Sequence, residues 1–152
     1  MEDETLHALE DRMAIAELLA RYADMVDRRE WTKMGRIFAL EGTIDFRASG
    51  GPQGPFREVL AWLDRALDSW PKSLHVISNV IVDLDGDRAT SRCYFHVTAG
   101  RENREGAQYT LTDSGRFIDR LIRTANGWRI VERIGEHVVR EGSLPEGYKI
   151  PR

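Results

Sequence analysis

Two dipeptides, Asp85-Gly86 and Asn126-Gly127, restrict the fold of this chain more than any other feature. Each has the chemistry of a two-residue hairpin turn, because turns that match the twist of the flanking strands need positive φ, which Gly, Asn and Asp tolerate. Each also lies between runs rich in β-branched and aromatic residues: 74–82 (LHVISNVIV) and 88–98 (RATSRCYFHVT) around the first turn, 109–123 and 128–140 around the second. The second half of the chain therefore reads as two long antiparallel hairpins. The first half has a helical period instead. Residues 8–28 form a helix ending near Arg29, and 30–38 (EWTKMGRIF) a short second one. A strand follows at 43–47, then a Gly/Pro loop at 50–55 and a third amphipathic helix at 56–70, stopped by Pro71. Three N-terminal helices packed on a strongly curved antiparallel sheet give a segregated α+β layout, a cone-shaped α+β barrel enclosing a pocket. Residues 1–152 are expected to form one domain, with a core of about 8–140 and an extended tail at 141–152.

Within the first helix, about 100° per residue stacks Leu9, Met13, Ala16, Ala20 and Ala23 in one apolar stripe, and Asp27 falls on the same line. Glu10, Glu17, Arg21, Asp24 and Arg28 gather on the other side, so the helix otherwise sorts charge from apolar surface. Burying an unpaired carboxylate costs several kcal/mol. Asp27 thus calls for a partner or a water-lined cavity, unless it bonds a neighbouring loop backbone.

Four histidines are available as partners. His75 opens the first long strand, on the face shared with Ile77, Asn79 and Ile81; His96 shares its face with Arg92 and Thr90 and reads as an outer residue. His7 lies in the N-terminal segment. His137 sits late in the last strand, in the parity of Arg133 and Arg129. His75 is the better candidate, with a satisfied structural histidine as the plainer alternative.

Composition narrows the partners. Net charge is −3, with 41% hydrophobic and 31% charged residues, an ordinary globular profile that favours neither nucleic acid nor anionic membranes. The single cysteine, Cys93, excludes an internal disulfide and shares its face with Ala89, Ser91, Phe95 and Val97, as a buried inert thiol would. With an acidic N-terminus and no apolar run of membrane-spanning length, the expected location is cytoplasmic. The histidines are too scattered for a metal set, and Gly50, Gly51 and Gly54 lack the lysine of a phosphate-binding loop, so no cofactor is expected.

The segments RYADMVDRREW, TIDFR, LHVISNVIVDLDGDRA and NGWRIVER, in that order and spacing, resemble the SnoaL-like branch of the nuclear transport factor 2-like superfamily over roughly 8–139. Similar in pattern are its scytalone dehydratase, lindane dehydrochlorinase and bile-acid dehydratase members. The resemblance implies that Asp27 orients His75, and that His75 takes a proton from carbon. It further implies that Tyr22 donates a hydrogen bond to a carbonyl or leaving oxygen, and that Arg133 helps a leaving group depart. Tyr22 is equally compatible with a core tyrosine, and Arg133 with a solvated strand residue or an ion-pair partner of Glu132 or Glu136 across an oligomer contact. Phe46 stands where scytalone dehydratase has a catalytic tyrosine. Ala99, Gly115 and Phe117 replace its second histidine, serine and asparagine, which argues against the scytalone reaction itself.

The expected activity is that of a cofactor-independent lyase, dehydratase or isomerase acting on a small cyclic apolar molecule such as a polyketide, steroid or aromatic-derived intermediate. Phe46, Trp62, Phe95, Val97 and Phe117 would fill or line its pocket, while Trp31, Trp62, Trp70 and Trp128 all read most simply as packing residues. The alternative is a non-catalytic protein that binds a ligand or supports assembly, like the small subunit of ring-hydroxylating dioxygenases. A homo-oligomer follows from the same resemblance, a trimer before a dimer, through an outer sheet face carrying Tyr94 and His96.

Overall fold

The computed structural model describes residues 1–142 apart from the side chain of Glu2. Helix α1 (Glu2–Asp27) leads through a 3-10 helix (Trp31–Arg36) to β1 (Phe38–Asp45), a 3-10 turn (Arg47–Ser49) and the short β2 (Gln53–Pro55). Helix α2 (Phe56–Asp68) precedes four long strands, β3 (Lys72–Asp85), β4 (Arg88–Glu102), β5 (Gln108–Thr124) and β6 (Gly127–Gly142). The expected second helix is thus a single 3-10 segment that buries Met34. The expected 43–47 strand starts earlier, and the Gly/Pro loop contains β2. Most of the expected tail lies outside the described residues; 141 and 142 finish β6.

The strands form one six-stranded sheet in the order β2-β1-β6-β5-β4-β3, curved and unclosed, with the helices against its inner face. It is not wholly antiparallel, since β1 runs parallel to β6 through Thr43↔Glu132 and Ile44↔Arg133. Hairpin turns force an antiparallel partner only on strands they join directly; β1 and β6 are separated by most of the chain, so nothing local dictates their direction.

The buried side of α1 is not the stripe expected from its sequence. Ile15, Leu19, Tyr22 and Val26 are almost wholly buried, whereas Leu9 and Met13 are 54% and 65% exposed. The two ridges lie close on the helix surface, but one carries bulky side chains and the other mostly alanines. The bulky ridge removes more apolar area from water, at about 25 cal/mol per Å², and therefore faces the sheet. Asp27 sits at the margin of this buried face, its side chain 16% exposed.

One extra residue in a strand reverses which parity faces inward, and three such bulges shape the sheet. In β3, register slips between Ser78 and Ile81, where Asn79 adopts φ 54°. His75 and Ile77 therefore face inward with Val80, Val82 and Leu84, and not with Asn79 and the half-exposed Ile81. In β6, Val131 and Val138 are the extra residues, since Leu121↔Ile130 is followed by Arg120↔Glu132, and Gly115↔His137 by Ser114↔Val139. The inward series is consequently Trp128 and Ile130, then Arg133, Gly135 and His137. Arg129 does not share the face of Arg133 and His137 as plain alternation predicts. Gly115 is required beside the second bulge, because a Cβ there would sit 1.9 Å from the Glu136 carbonyl oxygen and 2.8 Å from the Phe95 ring.

Asp11 ties α1 to the far end of the sheet. It accepts two hydrogen bonds from Arg123, at 2.6 and 2.7 Å, and one from Trp128 Nε1 at 3.0 Å. The Arg123 hydrogen bonds hold its carboxyl below the usual range, against the opposing effect of burial. A carboxylate whose folded pKa is depressed adds stability above its unfolded pKa and loses it as pH falls through the folded one. Asp11→Asn should therefore cost about 1 to 3 kcal/mol at neutral pH, with the difference shrinking below about pH 4. Urea melts at pH 7 and pH 3 check this, and an equal loss at both would count against it.

Candidate active site

Asp27 ends α1 directly over the start of β3. Its Oδ1 lies 2.6 Å from His75 Nδ1, its Oδ2 accepts the His75 backbone N–H at 2.9 Å, and Ser73 Oγ approaches Oδ1 at 3.4 Å. An ionised carboxylate only accepts, so Nδ1 carries the proton in this contact and Nε2 is the basic atom of the neutral ring. The backbone bond fixes the carboxylate relative to the strand that carries the imidazole. Neither side chain is solvent-flooded, at 16% and 11% exposure, so the pair is shielded from water without being sealed.

His75 lines a cavity of about 170 Å³ between α2 and the inner sheet face, large enough for a mono- or bicyclic molecule. Phe46, Trp62, Phe95, Val97 and Phe117 all line it, as does Tyr22. Trp70, which reads from the sequence as a packing residue, lines it too, as do Leu111, Asp113 and Arg140, for which the sequence carries no such signal. Trp70 follows the end of α2, so the helix brings both Trp62 and Trp70 to the cavity wall.

Arg133 is not on this wall. It is wholly buried with Asp119, also wholly buried, in a two-pronged pair with both bonds at 2.8 Å. Its guanidinium carbon lies 4.2 Å from the Tyr22 ring centre and 4.1 Å from that of Phe117. Burial opposes the charged form, but Asp119 outweighs it and raises the Arg133 pKa. Neither Glu132 nor Glu136 is its partner: Glu132 pairs with Arg120, and Glu136 with Arg116. Burial pushes the Tyr22 phenol up, with Arg133 partly offsetting it, so the hydroxyl stays a neutral donor at physiological pH. Asp119 had a legible signal, since it shares parity on β5 with the buried Phe117 and Leu121.

Cys93 is 1% exposed, and burial pushes its thiol up to about 11. A thiol reagent at pH 8 should label the native protein far more slowly than the unfolded chain. Equal rates would show an open thiol. Among the described residues no group of three or more His, Cys, Asp and Glu side chains is placed to hold a metal ion. Nor is any described helix long and apolar enough to cross a membrane.

The molecule is thus a conical α+β fold with an Asp-His pair beside an apolar cavity. The chain belongs to the SnoaL-like domain family, whose model matches residues 7–134. An uncharacterised protein of Mycobacterium tuberculosis is 32% identical over 128 residues, which cover 83% of this chain and 84% of that one. Among solved structures, a protein from Kribbella flavida is 28% identical with a TM-score of 0.78, covering 88% of this chain and 95% of its own. A hexachlorocyclohexane dehydrochlorinase shares the fold with a TM-score of 0.75 at 16% identity, covering 95% of this chain and 99% of its own.

Proposed function

We propose that this protein is a cofactor-independent lyase or isomerase that removes a proton from carbon in a small cyclic, mostly apolar molecule. The observation that carries this reading is the Asp27–His75 contact at 2.6 Å beside an aromatic-lined cavity. With Nδ1 committed to Asp27, Nε2 accepts the substrate proton, and the carboxylate stabilises the imidazolium that forms. Tyr22 donates a hydrogen bond to the oxygen on which charge develops or which departs. Arg133 acts on Tyr22 from behind and touches no substrate. The fold shared with a dehydrochlorinase supports elimination as one form of the chemistry, though fold alone does not decide reaction.

A cyclic ketone such as 2-tetralone tests the step directly. In deuterated water the protein should speed exchange of the protons beside the carbonyl, and His75→Ala should remove the acceleration. Absence of exchange across a panel of cyclic ketones and β-leaving-group substrates would favour a ligand-binding role.

Self-association is proposed on the outer sheet face, where Leu74, Val76, Tyr94 and Val138 stand 46–62% exposed. Sedimentation at micromolar concentration should give a homo-oligomer. A monomer would remove this part of the reading.

A further inference from the structure

The inner face of the sheet carries a second polar cluster, remote from the dyad along one row of paired residues. His75 pairs with Val97, Val97 with Asp113, and Asp113 with Arg140, and all four line the cavity. At about 4.8 Å per strand, Asp113 lies two strands and roughly 10 Å from His75 along the sheet. Arg140 Nη2 donates to Asp113 Oδ2 at 3.0 Å, and His137 Nε2 lies 3.0 Å from Oδ1.

Residues 137 and 140 are three apart and would face opposite sides of a regular strand. The extra residue Val138 brings both to Asp113. Although Asp113 is only 14% exposed, its Oδ1 has no aligned hydrogen bond among the described residues, and the approach of His137 is an ion-pair distance alone. Oδ1 itself is enclosed against His137, so the oxygen left to face the cavity is Oδ2, whose second lone pair stands beside the Arg140 guanidinium, their charges cancelling.

We infer that Asp113 and Arg140 form a recognition point for a hydroxyl group at the end of the substrate far from the carbon that His75 deprotonates. A hydroxyl donates to the carboxylate and accepts from the guanidinium at once. An ether offers no donor, and a carboxylate meets the negative charge of Asp113. The substrate class becomes a hydroxylated mono- or bicyclic molecule. This rests on the acid–base reading for the identity of the reacting end.

Calorimetry with 2-naphthol, 2-methoxynaphthalene and naphthalene-2-carboxylate tests it without turnover. The naphthol should bind about 10-fold or more tightly than either analogue. That preference should fall to near parity in Arg140→Met and persist in Tyr22→Phe. Asp113→Asn, which leaves Arg140 unneutralised, should raise affinity for the carboxylate about 10-fold, with thermal melts confirming that each variant is folded. Equal affinities in the native protein would overturn the inference. So would a preference that survives Arg140→Met or disappears in Tyr22→Phe. Loss of ketone exchange with an intact preference would remove the acid–base reading alone, and exchange without preference would remove this recognition point alone.

Discussion

Asp119→Ala should lower the free energy of unfolding by about 3 to 5 kcal/mol, the cost of stranding a buried charge without its partner. Arg133 and Asp119 are both 0% exposed, and the guanidinium is packed against Tyr22 and Phe117. Removing the carboxylate leaves that cation with ring faces for company, which offset only a small part of its lost hydration. For a chain of this length the melting temperature should fall by roughly 10 °C or more. A buried ion pair owes little net stability to its presence, because desolvation consumes most of the attraction. Asp119→Leu combined with Arg133→Met should therefore recover most of the loss caused by Asp119→Ala. The comparison by chemical denaturation separates a stranded charge from lost packing. A cost below 1 kcal/mol for Asp119→Ala would show that water reaches Arg133.

His75→Ala should reduce turnover by about 10² to 10⁴, the usual contribution of a positioned general base. Asp27→Asn should produce a loss of similar order by a different route. An amide can present its NH₂ to Nδ1 and favour the tautomer whose proton sits on Nε2, which abolishes the base without moving it. Asp27 accepts from the His75 backbone as well as from its ring, so the amide can keep one of these contacts and the fold should survive. Both variants should depress kcat with KM little changed, because a general base acts mainly in the transition state. Wild-type rates in both would remove the dyad from the reaction.

Much of this architecture is visible in the sequence where a local rule applies. Asp85-Gly86 and Asn126-Gly127 announce the β3–β4 and β5–β6 hairpins because their turn chemistry leaves few alternatives, and the register closes at Asp85↔Arg88 and Thr124↔Gly127. The helix expected at 56–70 corresponds to α2, Phe56–Asp68, since Pro71 and a strong amphipathic period mark its limits. Where an inserted residue decides the outcome, the sequence is silent. Val131 and Val138 look like any strand valines, yet each reverses the inward face of β6. Simple alternation consequently misplaces Arg129 relative to Arg133 and cannot bring His137 and Arg140 to one carboxylate. Asp119 is a different kind of omission. Its parity with Phe117 and Leu121 was readable and called for a buried cation, which Arg133 supplies across Asp119↔Arg133. In α1 side-chain size, and not position on one helical line, decides which ridge faces the sheet. Asp27 is largely buried all the same, because the buried ridge of Tyr22 and Val26 adjoins its line on the helix.

The central claim is that Asp27 holds His75 with Nδ1 protonated and Nε2 free to act as a base. The ¹⁵N chemical shifts of the neutral His75 imidazole measure this directly, without any substrate. The account predicts a protonated Nδ1, a bare Nε2, and a shift toward the opposite tautomer in Asp27→Asn. A proton on Nε2 in the native protein, or a tautomer indifferent to Asp27→Asn, would contradict it.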